Sequence, residues 1–343
     1  MAQRYSDICV RYLHLGVFLC LSAACLCWAD ASRALTRAEL YQATAPVADR
    51  SEAAQSAAFQ EAMKIVLVKV TGRRTADEDS ALAPLITNAR RYVQQYRTAP
   101  DNQLWVAFDG SAIERWLTQN GQPLWGHERP TTFVWLTVPS SGQSGTVVTA
   151  EDASELKSAV DAAAAARGVP LQWPSASDLQ RNHLDYSSLS GASAASLVDL
   201  AHRLGAEGVL IGRATNSSQA AGIRWSFLFQ DRSGEFSGAA ADGANRAADS
   251  YAGIFAVSGS SAPVDIEIAG VNDLREYARL QAYLESLAYV SHVGVEGFSG
   301  DTVRFRLATR GGAEALQHVL ALNGRLQPIA AGDGGVPRFQ LRR

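Results

Sequence analysis

Apolar positions along this chain switch repeatedly between a helical period and a strand period. Phe59, Met63, Val66, Leu67 and Val70 recur at helical spacing, and Gly72 is placed to stop the run. Asp49 followed by Glu52 has capping-box spacing ahead of it. Residues 73–80 read as a charged exposed loop, and 81–90 as a second helix-prone stretch. Leu104 to Phe108 reads as a strand, Asp109-Gly110 introduces a short helix over 111–119, and 132–138 is β-rich.

The Ser/Gly stretch 140–145 reads as a linker and the first unit boundary. Beyond it, 153–166 is Ala-rich and helical, ended by Gly168 and Pro170, and 171–173 is a short strand. Leu197, Leu200, Ala201 and Leu204 share one face of a helix over 192–204, and 208–213 is a buried strand. Residues 223–230 and 235–240 suggest a hairpin, followed by a helix over 245–257. After a second boundary at 259–263, Val264, Ile266 and Ile268 alternate as a strand. Asp273 and Glu276 repeat the capping-box spacing before Leu274, Tyr277, Leu284 and Leu287. Val293 and Val295, then Val303, Phe305 and Leu307, make two more strands, with Arg304 and Arg306 pointing the other way. A helix over 314–320 and a strand over 326–329 complete a β-α-β-β-α-β order. The expectation is an α+β chain of three small mixed-sheet units, 39–139, 146–258 and 263–330, the last ferredoxin-like, then a loose Gly-rich tail, 331–343.

The first 31 residues read as a leader. Arg4 and Arg11 form a basic n-region, Leu13 to Cys27 an apolar core, and Ala29-Asp30-Ala31 an A-x-A cleavage site. That predicts a mature start at Ser32 and a periplasmic protein that meets the membrane only through its leader. The apolar stretch, roughly 15–17 residues, is shorter than a comfortable span. Leu21 to Cys25 resembles a lipobox, but its branched residue sits one place early, so a lipid anchor on Cys25 is the lesser alternative. All four cysteines (Cys9, Cys20, Cys25, Cys27) lie in this leader, so the mature chain has no disulfide and no thiol chemistry. The chain carries 31 basic and 34 acidic residues; without Arg4, Asp7, Arg11 and Asp30 the balance is 29 to 32. No basic stripe suited to displacing counterions from nucleic acid is visible.

Several blocks occur in a recognisable order: Tyr41-Gln42-Ala43, Val47-Ala48-Asp49, residues 66–72, residues 91–96, Leu124-Trp125-Gly126, Arg129-Pro130 and Val134-Trp135-Leu136. In these the chain resembles the DUF2066 family of bacterial proteins, from about Tyr41 past Val257. That resemblance implies an envelope location and supplies no catalytic residues. A looser similarity links the helix ending Ala201-His202-Arg203-Leu204-Gly205-Ala206 and the following strand to periplasmic accessory domains. These include the N-terminal domain of the TolB translocation protein, CsgG-like domains and outer-membrane activators of peptidoglycan synthases. This is a fold-level likeness.

Catalytic patterns are scarce. His127, His183, His202, His292 and His318 never lie four residues apart, so no paired helical metal ligands arise. His183 and Asp185 are the one close His–carboxylate pair, in a polar stretch that reads as loop. Ser144 lacks the strand-to-helix context of a nucleophile, and Gly205, Gly208 and Gly212 do not make a dinucleotide fingerprint. No cofactor is expected. Of the six tryptophans after the leader, Trp105, Trp116, Trp125, Trp135, Trp173 and Trp225, Trp125 lies in a Gly/Pro-bounded loop with His127 and is expected to be exposed. Trp125, His127, Arg73 and Arg74 are therefore the expected interaction surface, with envelope proteins as partners. The sequence points to a non-catalytic accessory or scaffold protein. Alternatives are a cell-wall hydrolase with carboxylates from separate units or a periplasmic small-ligand binder.

Overall fold

Three sheets divide the chain. The computed structural model describes residues 36–140, 144–216, 222–331 and 333–342. The expected leader, its cleavage site and Cys25 lie outside them.

The first sheet is fully antiparallel, ordered β1 (Gln42–Pro46), β3 (Gln103–Phe108), β2 (Val93–Ala99). Helix α1 (Arg37–Leu40) precedes it, and α2 (Glu52–Thr71) covers one of its faces. The apolar stripe of α2 meets Ala43, Ala45, Leu104, Val106 and Phe108 in a closed core. Burying each large apolar side chain contributes about 1.5–3 kcal/mol. Ser51, not Asp49, caps α2, accepting from the Ala54 N–H, while Asp49 accepts from the Ser51 N–H. Gly72 ends the helix in the left-handed region (φ 71°). Short α3 (Ala83–Thr87) and then α4 (Gly110–Gln119), capped by Asp109, finish the unit.

The second sheet runs β5 (Gly145–Val147), β4 (Thr132–Pro139), β7 (Gly208–Ala214), β8 (Ile223–Phe229), β9 (Arg232–Gly238), with β6 (Leu171–Gln172) beside β4. Strands β4 and β7 are parallel and buried on both faces, which explains their unbroken apolar runs. Val134 and Leu136 face a core shared with α5 (Glu155–Arg167) and α9 (Ala240–Phe255). Phe133 and Trp135 face a smaller cluster under α8 (Ala194–Arg203). The expected first boundary is corrected here. Strand β4 pairs into the second sheet, and Val138 and Pro139 lie opposite Thr146 and Gly145. The Ser/Gly stretch therefore joins two paired strands, and the sheet boundary falls before Thr132. The polar stretch around His183, read as loop, instead holds two short capped helices, α6 (Ala176–Arg181) and α7 (Tyr186–Gly191).

The third sheet is ordered β11 (Val290–Ser299), β12 (Thr302–Thr309), β10 (Ala262–Ala269), β14 (Arg338–Leu341), β13 (Leu326–Ile329). Helices α10 (Leu274–Ser286), capped by Asp273, and α11 (Gly312–Ala321) contribute Leu280, Leu284, Leu316 and Val319 to its core. The β-α-β-β-α part is as expected. The ferredoxin-like end is not, because residues of the supposedly loose tail form β14, inserted between β10 and β13. Phe339 is buried in the core and anchors it. The described residues all fall in one compact unit, in which the second and third sheets share a continuous apolar core.

Candidate functional site

The connector from Leu124 to Arg129 is where all three sheets meet. Leu124 and Val257 exchange two backbone hydrogen bonds, and the Trp125 N–H donates to the Val70 carbonyl at 2.7 Å. These tie the connector to the ends of α9 and α2. Trp125, expected on the surface, is completely buried. It lies near Tyr251, and the Arg129 guanidinium sits 3.7 Å over its ring.

Arg129 makes no ion pair among the described residues. Its Nε–H donates to the Gly126 carbonyl (2.8 Å), Nη1 to those of Arg167 (3.2 Å) and Gly168 (3.1 Å), and Nη2 to those of Lys69 (2.9 Å) and Trp125 (3.0 Å). A guanidinium has five N–H groups, so all are used. Three of the acceptors lie at the C-terminal ends of α2 and α5, where carbonyls lack helical partners and the dipoles are negative. One cation therefore caps two converging helices. Burial pushes the Arg129 guanidinium below its ordinary value, while the five carbonyls favour the charged form. Burial also lowers the Lys69 ammonium to about 8, with the neighbouring Arg129 charge adding to the effect.

Arg167 repeats this device. It donates to the Gly72 carbonyl (2.7 Å), which ends α2, and to Asp249 on α9 (2.7 Å). Asp249 also receives Arg74 at 2.8 Å, while Arg73 reaches Gln122 and Asp79. His127 is half-buried with Nε2 3.4 Å from Glu128, whose carboxylate accepts from the Ala288 N–H. Burial raises the Glu128 carboxyl, opposed first by His127. Tyr289 donates to the Phe255 carbonyl at 2.8 Å. The structure sets Trp125 inside the junction, whereas His127 (28% exposed), Arg73 (40%) and Arg74 (45%) stand at its rim with part of each side chain outward. Arg129, Arg167, Asp249 and Tyr289 are the members that sequence reasoning missed. His183 sits in a turn at φ 52°, and Asp185 caps α7 by accepting from the Ser188 N–H, which holds its carboxyl low.

Outward chemistry lies on the open sheet faces. On the first sheet, cross-strand partners on the side away from α2 form three rows: Gln42–Ala107–Gln95, Thr44–Trp105–Arg97 and Pro46–Gln103–Ala99. None of these nine residues is buried. The Arg97 guanidinium lies 4.5 Å over the half-buried Trp105 ring. Among the described residues it makes no hydrogen bond or ion pair. The third sheet's open face instead carries Arg306 bonded to Asp265 (2.8 Å) and paired with Glu296 (3.0 Å), and Arg304 on Asp265 (3.2 Å). An open cleft of about 690 Å³ there is lined by Glu267, Asp301, Arg304 and Arg338. A second, of about 590 Å³, lies between β9 and α9, beside Phe236 and Arg246. At the third sheet's free edge, Leu274 and Phe298 are 78% and 67% exposed.

Among the described residues, no three His, Cys, Asp or Glu side chains gather to hold a metal ion, and no helix is long and apolar enough to cross a membrane.

Residues 34–126 match a family described as a domain of unknown function (DUF8605). No curated protein and no solved structure matches the chain. The matched segment is the first sheet with its helices, and it ends inside the connector. It therefore includes Trp105 and Arg97 but stops short of Arg129.

Proposed function

We propose that the protein is a non-catalytic accessory or scaffold component of the bacterial envelope that binds other envelope components through its outward sheet faces and edges. The observation that carries this is how the charged side chains of the connector are used. Arg129 and Arg167 hold the sheets together through backbone carbonyls at helix ends, with Asp249 as the shared anion. Arg73 and Arg74 are engaged within the same body. That arrangement gives a support and leaves recognition to the outward residues of β2, β3 and β11. The exposed Leu274 and Phe298 beside edge strand β11 suit addition of a partner strand. The resemblance of residues 41–257 to DUF2066 proteins and the expected leader supply the address.

A photo-reactive residue placed in living cells at Arg97, Phe298 or His127 tests the proposal, with the captured species identified by mass spectrometry. Capture of the same envelope component from Arg97 or Phe298, and none from His127, is the expected result. Capture of abundant bystanders alone, equally from all three positions, would contradict it.

A further inference from the structure

We propose that the open face of the first sheet is a binding platform for a carboxylate-bearing glycan, with Arg97 and Trp105 as its recognition pair. This rests on the accessory reading above and names the ligand class for one of its surfaces. Trp105 occupies the centre of the face, flanked in its own strand by Gln103 and Ala107 and across the sheet by Thr44 and Arg97. The face measures about 10 Å across three strands and about 13 Å along them. That is long enough for a short run of sugar rings.

The composition of the face selects the ligand. The side chains of Gln42, Thr44, Gln95 and Gln103 make no hydrogen bonds among the described residues, although none of the four is buried. Amides and hydroxyls of this kind both donate and accept, which matches the paired donors and acceptors of sugar hydroxyls. The half-buried indole has Arg97 over one ring face, and the part of its edge left outward adds apolar surface within a polar rim. Among the nine described residues of the face Arg97 is the one charge, and none of them is a carboxylate that neutralises it. Stacked on the indole, the guanidinium is oriented while its N–H groups stay available, the geometry that takes a carboxylate in bidentate fashion. An acidic peptide is the competing occupant, because β1 and β2 are both edge strands, and oligoglutamate enters the test for that reason. The third sheet provides an internal contrast. Its arginines each lie beside a carboxylate, Arg304 on Asp265, Arg306 on Asp265 and Glu296, and Arg338 at 3.9 Å from Glu267, so the positive charge of that face is offset locally.

Calorimetric titration of the purified full chain tests this with oligogalacturonate and oligomannuronate at fixed ionic strength. The controls are their methyl esters and oligoglutamate. At least one acidic glycan binds saturably, its ester binds at least about tenfold more weakly, and oligoglutamate does not saturate. Arg97→Gln weakens binding about tenfold, and Gln95→Glu, which sets a carboxylate beside Arg97, does likewise. Trp105→Phe retains part of the affinity and keeps the sheet folded, whereas Arg306→Gln on the third sheet changes nothing. The proposal is overturned if neither acidic glycan binds better than its ester, if oligoglutamate binds as well, or if Arg97→Gln binds unchanged. Failure here alongside capture of an envelope protein from Phe298 removes the glycan and leaves the scaffold reading standing. Binding here without any such capture does the reverse.

Discussion

Among the described residues, two arginines stack on tryptophans without pairing with a carboxylate, and their surroundings give them opposite roles. Arg129 lies 3.7 Å over Trp125 in complete burial and bonds five carbonyl oxygens. Arg97 lies 4.5 Å over Trp105 on an open sheet face and bonds none among the described residues. The ring stacking is shared; what differs is where the N–H groups go. A buried cation must be satisfied internally or it is costly. An exposed one is satisfied by water until something better arrives. The same side-chain pair is therefore a structural fastener at the connector and a recognition element on the first sheet.

The contrast can be broken most forcefully at the fastener. Arg129→Met is expected to cost about 3–5 kcal/mol, because it leaves buried carbonyls at two helix ends without donors. Urea unfolding followed by tryptophan fluorescence measures it. Next comes Gly72→Ala. The glycine sits at φ 71°, and an added Cβ would meet that of Ala252 at 2.5 Å, with the Trp125 ring at 3.3 Å. Strain and overpacking together should cost about 2–4 kcal/mol in the same assay.

Lys69 sharpens the comparison through pH. Its amine is lowered to about 8 by burial in the folded chain, against an ordinary 10.5. Between those values the unfolded chain holds the proton and the folded chain does not. Stability should therefore rise with pH from about 8 towards 10.5, by up to about 3 kcal/mol. The rise should vanish in Lys69→Met; a flat or falling profile in the unsubstituted protein would show that the junction tolerates the charge. The smallest effect is expected at the recognition pair. Arg97→Gln should change stability by less than about 0.5 kcal/mol, although it weakens acidic-glycan binding.

Much of the architecture was legible because it rests on local periodicity. The apolar stripe of α2, the Asp273 cap of α10 and the alternation in β12 all appear in the sequence and in the structure. Strand β2 was not legible, since Val93 to Ala99 is polar on both faces and stands at an edge. It is the strand that delivers Arg97. Trp125 looked exposed because its neighbours in sequence are glycine, proline and charged residues. Its neighbours in space, Tyr251 and Gly72, come from distant segments that no local pattern connects. Arg129 lies four residues after Trp125, but three of its five acceptors stand at the ends of two helices far along the chain. Strand β14 was hidden behind a Gly-rich approach. The two-residue spacing of Phe339 and Leu341 was the signal available for it.

Proton exchange at the arginine side chains, measured by NMR on the intact protein, tests the division of roles most directly because it needs no substitution. The account predicts an Arg129 Nε–H that exchanges orders of magnitude more slowly than that of an exposed arginine, and an Arg97 Nε–H that exchanges at the exposed rate. Comparable protection at both sites would contradict it, since Arg97 would then be engaged within the fold and its face would not be free for a ligand.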